Sequence, residues 1–128
     1  MYKAIIFDLD DTLTYERENI IQAFKRVLEY RGEEYSLEDF ERFNVIDKKT
    51  WKDRAEGKIK TPYDNEKDPT RKIEYIRSSR FLKYYDNKIS YEEAVILNNI
   101  YIKGMMEEVP AREYAFEIVK YLYDKNYK

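Results

Sequence analysis

Two aspartates, Asp8 and Asp10, stand two residues apart directly after the apolar run of residues 4–7. A continuous apolar run of this length predicts a strand buried on both faces, as in a parallel sheet. Extended backbone directs alternate side chains to one side, so we expect both carboxylates on one side and Leu9 on the other. Neighbouring carboxylates repel each other unless a cation neutralises them or one of them keeps a proton. The spacing therefore indicates a magnesium site or a proton-sharing pair at the carboxyl end of a strand, where open α/β sheets place their ligands.

The same cluster has two simpler interpretations. Asp and Thr are common in turns and at helix N-termini, so the segment is equally compatible with the mere end of a strand. A calcium loop of the EF-hand type would also begin with Asp8, Asp10 and Thr12, but it requires Gly at the position of Leu13 and Glu at the position of Asn19. Such a loop also follows a helix, and we discard it. The strand-end interpretation stays open beside the cation site.

Composition limits the available chemistry. The 128 residues contain no His and no Cys, which excludes imidazole-dependent triads, thiolate metal sites and cysteine nucleophiles. Any bound metal must then be a hard cation with oxygen ligands, such as magnesium or calcium. With 24 Lys plus Arg against 26 Asp plus Glu, the net charge of -2 gives no general reason to bind a nucleic acid polymer or a membrane. The apolar runs are too short to span a bilayer and no secretory signal is recognisable, so we expect a cytoplasmic protein.

Helical periodicity covers much of the chain after the aspartates. Apolar residues at helical spacing from Glu18 onward predict a helix that stops at Gly32. Ser36, with Asp39 three positions later, resembles a capping box. It opens either one long helix or two short ones before a stop at Gly57.

The second half of the chain shows the same periodicity. The polar residues 58–67 predict a loop, and Asp68 followed by proline predicts the start of a helix that reaches about Tyr85. Ser90 begins another capping box, and residues 111–125 predict a final helix. A single buried strand needs a parallel partner after a crossover helix, and this final helix is placed like such a crossover.

The run from Asp8 through Asp10 and Thr12 to Leu13, after an apolar strand, resembles the first motif of the haloacid dehalogenase superfamily. The resemblance implies that Asp8 is the nucleophile that forms an aspartyl-phosphate. It implies that Asp10 protonates the leaving group and later deprotonates water. It further implies that magnesium is held by the Asp8 carboxylate and the Asp10 backbone carbonyl, and that Thr12 orients the acid/base residue. Because dehalogenases lack an acid at the position of Asp10, a phosphatase is favoured.

A second resemblance covers most of the remaining chain. Trp51, residues 56–59, Arg80 with the following Phe, and Pro110 before the last helix resemble the helical cap of the nucleotidase-like branch. This implies a core strand and nucleophile loop in residues 1–14, a cap in residues 15–108 and a first crossover helix in residues 109–128. Arg80 then becomes a candidate anchor for an anionic substrate, since guanidinium binds phosphate bidentately. Alternatively, Trp51 packs between helices and Arg80 is a solvated charge.

The expected fold is mainly α: a helical-bundle cap plus the first strand and first crossover helix of an incomplete Rossmann-like α/β core. The family completes its site with a Thr or Ser, a Lys and further Asp residues, none of which can be assigned within these 128 residues. We therefore expect a magnesium-dependent phosphatase for a small phosphorylated metabolite, such as a nucleotide, that is truncated and weak or inactive alone. The alternatives are a non-catalytic helical assembly module that self-associates through its exposed first strand, and one half of a split phosphatase.

Overall fold

The computed structural model describes residues 2–107 and 109–128, so Met1 and the predicted cap boundary at Glu108 lie outside the described residues. The described residues contain no extended β-ladder; they form five α-helices joined by short connections. The helices are α1 (Glu16–Arg31), α2 (Leu37–Ala55), α3 (Pro69–Tyr84), α4 (Tyr91–Glu107) and α5 (Ala115–Asp124). This mainly helical architecture agrees with the predicted fold class.

The local signals in the sequence set most helix ends. Gly32 ends α1 in the left-handed region with φ of 69°, a conformation that costs glycine little. The Ser36 hydroxyl accepts a hydrogen bond from the Asp39 backbone N–H at 3.0 Å, which caps α2. The Asp68 carboxylate accepts from the Thr70 N–H at 2.9 Å and caps α3. Because α2 is continuous, the alternative of two short helices between Ser36 and Gly57 is wrong.

A stack of aromatic rings forms the centre of the first four helices. Phe43 of α2 stacks on Phe24 of α1 with ring centroids 4.4 Å apart, and on Phe81 of α3 at 5.4 Å. Tyr101 of α4 meets the Phe43 ring edge-on at 5.3 Å. All four rings are almost completely buried, so each helix contributes at least one aromatic ring to a shared core.

Helices α1 and α4 approach each other closely at Gly104. A Cβ atom added to Gly104 would lie 3.0 Å from the Ala23 Cα and 3.3 Å from the Ala23 Cβ. A backbone atom cannot rotate away as a long side chain can, so the two helices would have to separate. A residue without a side chain at position 104 therefore sets the spacing of α1 and α4.

The predicted strand at residues 4–7 lacks a continuous ladder among the described residues. The Ile5 N–H donates to the Lys128 carbonyl at 2.8 Å, and the Lys128 N–H donates to the Lys3 carbonyl at 3.2 Å. Lys128 therefore accepts from the residue after Ala4 and donates to the residue before it. This is the hydrogen-bond pattern of two parallel strands. The chain between residue 5 and Lys128 contains all five helices, of which α5 is the last before Lys128.

Helix α5 begins four residues later than the sequence predicts. Ala111 pairs with Thr14 in an isolated antiparallel bridge, and the Arg112 N–H donates to the Leu13 carbonyl at 2.8 Å. Tyr114 then adopts φ of 61° immediately before the helix. These backbone hydrogen bonds to the N-terminal loop hold residues 111–114 out of helical geometry.

Helix α5 and the N-terminal segment contribute little to the shared core. No α5 residue belongs to the buried aromatic core, whose members come from α1 to α4. Instead Phe116 is 79% exposed and Ile6 is 95% exposed, and Ile118, Val119 and Tyr123 are also exposed. An amphipathic helix thus leaves much of its apolar side in contact with solvent.

Replacing Gly104 with Ala is expected to lower the free energy of unfolding. Overpacking against a backbone atom costs about 1–3 kcal/mol, whereas the gain in helix propensity returns at most about 1 kcal/mol. Urea unfolding followed by circular dichroism measures the difference. Lys103→Ala, at an exposed position of the same helix, serves as the control and should change stability little. An unchanged or higher stability for Gly104→Ala would show that the helix spacing adjusts freely.

Candidate active site

The loop that carries the aspartates is organised around one carbonyl group. The Leu9 carbonyl accepts hydrogen bonds from the Leu13 N–H at 3.0 Å, the Thr14 N–H at 3.2 Å and the Thr14 hydroxyl at 3.1 Å. The chain therefore turns immediately after Leu9 and does not continue in extended geometry. Asp10 lies in this turn, and its position is fixed by hydrogen bonds that belong to the backbone rather than to its own carboxylate.

Asp11 connects the turn to the helices on both sides. Its backbone adopts φ of 55°, a left-handed conformation that Asp tolerates better than most residues. Its carboxylate accepts a hydrogen bond from the Glu16 N–H at 3.2 Å in the first turn of α1. The Arg112 guanidinium lies 3.6 Å from the same carboxylate oxygen. Asp11 thus has structural partners, which distinguishes it from Asp10.

Two chain segments next to the turn, residues 13–15 and residues 110–112, are paired through their backbones. The Tyr15 N–H donates to the Pro110 carbonyl at 2.9 Å, next to the bridge between Thr14 and Ala111. Residues 13–15 directly precede α1, and residues 110–112 lie in the connection between α4 and α5. The two connections between the helical bundle and the rest of the chain are therefore paired by backbone hydrogen bonds.

A cavity of about 510 Å³ opens between the turn and the helices. Asp10, Asp11 and Glu16 line one part of it, so this part carries three acidic side chains. The helices supply the remaining walls: Arg17 and Ile20 from α1, Asp47, Lys48 and Trp51 from α2, Arg77 and Arg80 from α3, and Tyr101, Ile102 and Met105 from α4. Its volume is in the range of pockets that bind small molecules.

The cavity brings together some of the residues predicted from the sequence. Asp10 and Arg80 both line it. Asp8 and Thr12 are exposed and are not among its lining residues, so the nucleophilic role of Asp8 and the orienting role of Thr12 stay predictions. Asp8 belongs to the segment before the turn, which is hydrogen-bonded through its backbone to Lys128.

Arg80 is held in a buried ion pair that the sequence did not predict. Its Nη1 lies 2.6 Å from Asp47 Oδ1, and the two side chains are only 2% and 9% exposed. Its Nε donates to the Arg77 carbonyl at 2.9 Å, and its guanidinium lies 5.2 Å from the centre of the Tyr101 ring. Burial raises the pKa of Asp47, and the neighbouring Arg80 charge partly opposes that effect. The charge of Arg80 is therefore already balanced within the protein, and its role as a substrate anchor stays a prediction.

Sequence reasoning missed Asp47 and Arg77. Asp47 follows the core residue Phe43 by one helical turn, so an acidic residue falls on the buried face of α2. Arg77 precedes Arg80 by three positions on α3 and shares its face. The available signal was an acidic residue, Asp47, and a basic residue, Arg80, on the buried sides of two helices. Their pairing, however, depends on the register of α2 against α3.

The residues of the turn fit magnesium in part. No group of three acidic side chains within residues 2–107 and 109–128 could hold a metal ion. Magnesium is commonly bound by one or two carboxylates, with water and substrate phosphate as the other ligands. Exposed carboxylates at Asp8 and Asp10, with the carbonyl of Asp10, are suitable hard oxygen donors for such a site.

Comparison with known proteins identifies the family. The family model described as haloacid dehalogenase-like hydrolase matches residues 2–126. The chain belongs to the haloacid dehalogenase-like hydrolase family. This hydrolase family assignment agrees with the aspartate motif at residues 8–13. No curated protein matches the chain significantly.

A solved structure shares the fold of this haloacid dehalogenase-like chain. It is the putative HAD-hydrolase YfnB from Bacillus subtilis, described as bound to magnesium with interdomain movement. The two structures superpose with a TM-score of 0.72 at 18% sequence identity, over 96% of this chain and 49% of YfnB. This chain thus spans about half the length of YfnB. Within the described part of this family member, no helix combines the length and apolarity needed to cross a bilayer.

Replacing Asp47 with Ala is expected to lower the free energy of unfolding by about 3–5 kcal/mol, because the Arg80 charge stays buried without a partner. The double replacement Asp47→Leu with Arg80→Met should cost much less than the single one, since both charges are removed together. Urea unfolding monitored by circular dichroism measures both. Asp86→Asn removes an exposed charge next to Arg42, keeps a residue type that tolerates the left-handed backbone at this position, and serves as the control with little effect. Equal losses for the single and double variants would contradict this account.

Proposed function

We propose that this chain supplies the nucleophile, the acid/base residue and the substrate-recognition cavity of a magnesium-dependent phosphomonoesterase. The observation that carries the proposal is the position of Asp10, which lines a cavity of about 510 Å³ from within the family's aspartate motif. A carboxylate at this position can protonate the leaving oxygen of an ester whose organic part occupies the cavity. Family membership alone supports only a hydrolase, so the phosphatase assignment rests on this residue.

The proposed organisation divides the chain into three parts. Residues 1–14 are the first core strand and nucleophile loop, residues 15–108 the cap, and residues 109–128 the first crossover helix. This division is supported by the shared core, which is confined to α1 to α4, and by the pairing of the two connections at Thr14 and Ala111. The cavity would then lie between the cap and the catalytic loop.

The proposed reaction has two steps. In the first, an Asp8 carboxylate oxygen bonds to phosphorus while the bond from phosphorus to the ester oxygen breaks, and Asp10 gives its proton to that oxygen. In the second, Asp10 takes a proton from water as the water oxygen bonds to phosphorus, which releases phosphate and restores the Asp8 carboxylate. Thr12 is assigned to orient the Asp10 carboxyl group.

Asp8 and the Asp10 carbonyl would hold magnesium at this site. When bound, the cation supplies positive charge between the carboxylate and the phosphoryl oxygens, which otherwise repel each other. YfnB is described as bound to magnesium, which supports the choice of metal. The substrate class we propose is a small phosphorylated metabolite, such as a nucleotide.

We expect the 128-residue chain to have weak activity by itself. The family's additional Thr or Ser, its phosphate-binding Lys and its further Asp residues have no assignable counterpart here. Loss of one preorganised group that stabilises charge in the transition state costs on the order of 10²–10³ in kcat. A second polypeptide that completes the site, as in a split phosphatase, would raise the activity.

Magnesium-dependent release of phosphate from p-nitrophenyl phosphate tests the proposal. Asp8→Asn is expected to reduce release to the buffer background, because an amide cannot act as the nucleophile. Asp10→Asn should still release up to one equivalent of p-nitrophenol as a burst, since this leaving group needs little protonation, while later turnover slows by about 10²-fold or more. Asp86→Asn, an exposed carboxylate that does not line the cavity, is the matched control. Release that survives Asp8→Asn would contradict the assigned nucleophile.

A non-catalytic assembly role is the second candidate, and the exposed apolar residues of α5 and the N-terminal segment favour it. Phe116 and Ile6, together with an N-terminal segment that forms no continuous ladder among the described residues, resemble a surface that a second copy could cover. We expect static light scattering of the wild-type chain to show self-association that Phe116→Lys weakens. Val45→Lys, at an exposed apolar position on α2, is the control that should leave the mass unchanged. A monomer at high concentration would count against this candidate.

A further inference from the structure

The Arg77 guanidinium lines the cavity and has no ion-pair partner within residues 2–107 and 109–128. Its Nε is buried and has no hydrogen-bond partner in the described part of the chain. Buried donors are almost always satisfied by protein, water or a ligand, so an unsatisfied one at a cavity wall calls for a bound group. A carboxylate or phosphate is the group that best matches a guanidinium in charge and shape.

The other arginines around the cavity already have acidic partners. Arg17 pairs with Glu41, and Arg80 pairs with Asp47 at 2.6 Å. Such a partner would cancel much of the charge that an anionic ligand would meet. Among the cavity's arginines within residues 2–107 and 109–128, an unbalanced guanidinium is found only at Arg77.

Trp51 holds two guanidinium groups near the same ring. The Arg77 guanidinium carbon lies 5.3 Å from the ring centre, and that of Arg54 lies 5.1 Å from it. These contacts restrain both side chains but neutralise neither charge. Burial lowers the pKa of Arg77, and the nearby charges of Arg54 and Arg80 lower it further. The protein therefore gathers positive charge here at an electrostatic cost that an anion would reduce.

Apart from Glu16 on α1 and the paired residues Arg17, Asp47 and Arg80, the acidic and basic residues of the cavity lie on different elements. Asp10 and Asp11 approach it from the N-terminal turn, whereas Lys48 and Arg77 approach it from α2 and α3. In the proposed reaction the phosphoryl group belongs near Asp10. The basic residues on α2 and α3 are then available to a different part of the substrate.

We propose that Arg77, restrained by Trp51, binds a second anionic group of the substrate, so that the preferred substrates are small phosphomonoesters that also carry a carboxylate or a second phosphate. This inference rests on the proposed phosphatase function and adds the substrate class. Arg77 has the role in substrate binding that the sequence suggested for Arg80, whose charge Asp47 balances. The Arg80 Nε donates to the Arg77 backbone carbonyl at 2.9 Å, so the two arginines are neighbours on one side of α3.

The fluorescence of Trp51 reports binding directly, because it is the only tryptophan in the sequence and contacts Arg77. The probes are 3-phosphoglycerate and glycerol 3-phosphate, which differ by a carboxylate in place of a hydroxymethyl group. At constant ionic strength, the wild-type chain should bind 3-phosphoglycerate at least about tenfold more tightly, the difference expected from one charge-assisted contact. Isothermal titration calorimetry checks the two dissociation constants independently of the tryptophan.

Variants at two arginines of α3 separate a specific contact from general charge. Arg77→Gln should bind both probes with equal affinity, and Arg77→Lys should recover part of the preference. Arg71→Gln removes an exposed charge from the same helix and should keep the wild-type ratio. Circular dichroism of each variant verifies that it is folded. Equal affinities in the wild type, an unchanged ratio in Arg77→Gln, or the same loss in Arg71→Gln would each overturn the inference.

The outcomes also separate this inference from the phosphatase proposal. Asp8→Asn should retain the preference for 3-phosphoglycerate while losing phosphate release. A preference without any Asp8-dependent release would leave the anion site standing and refute the proposed reaction. Asp8-dependent release without a preference would refute the anion site alone.

Discussion

The buried ion pair between Asp47 and Arg80 constrains how the second and third helices meet. Either charge without the other would be buried at a large cost, so α2 and α3 can pack only in a register that joins them. Trp51 follows Asp47 by one turn of α2, and Arg77 precedes Arg80 by about one turn of α3. Because the helices run in opposite directions at this contact, the same register brings Arg77 onto Trp51. This ion pair thus balances the charge of Arg80 inside the protein, and the register that it sets leaves the charge of Arg77 available to a ligand.

The aromatic core and the ion pair have different roles in the same bundle. The rings of Phe24, Phe43 and Phe81 supply apolar contact area, but many packings of such rings are close in energy. The ion pair adds a geometric requirement that only one arrangement satisfies. Tyr101 belongs to both, since it packs against Phe43 and lies beside the Arg80 guanidinium. The wall of the cavity is therefore continuous with the core, and this continuity holds its side chains in place.

The sequence predicted the features that depend on neighbouring residues. The glycine stop at Gly32 and the caps at Ser36 and Asp68 act within a few positions, and the structure contains all three. Features that depend on distant partners were harder to predict. Asp47 and Arg80 are separated by 33 positions, and the late start of α5 follows from a bridge between Thr14 and Ala111. No local pattern encodes either contact.

The two predicted catalytic aspartates are positioned by different interactions. Asp10 follows Leu9, whose carbonyl gathers the N–H groups of Leu13 and Thr14, and the bridge at Thr14 ties this turn to the helices. Its place at the cavity is thus fixed by the described chain. Asp8 lies on the other side of Leu9, in extended backbone that pairs at Lys128. The side on which its carboxylate lies therefore depends on how residues 4–7 pair with neighbouring strands. Formation of a parallel sheet around that segment would set Asp8 relative to Asp10, so assembly of the proposed nucleophile and its proposed acid/base partner would be coupled to strand pairing.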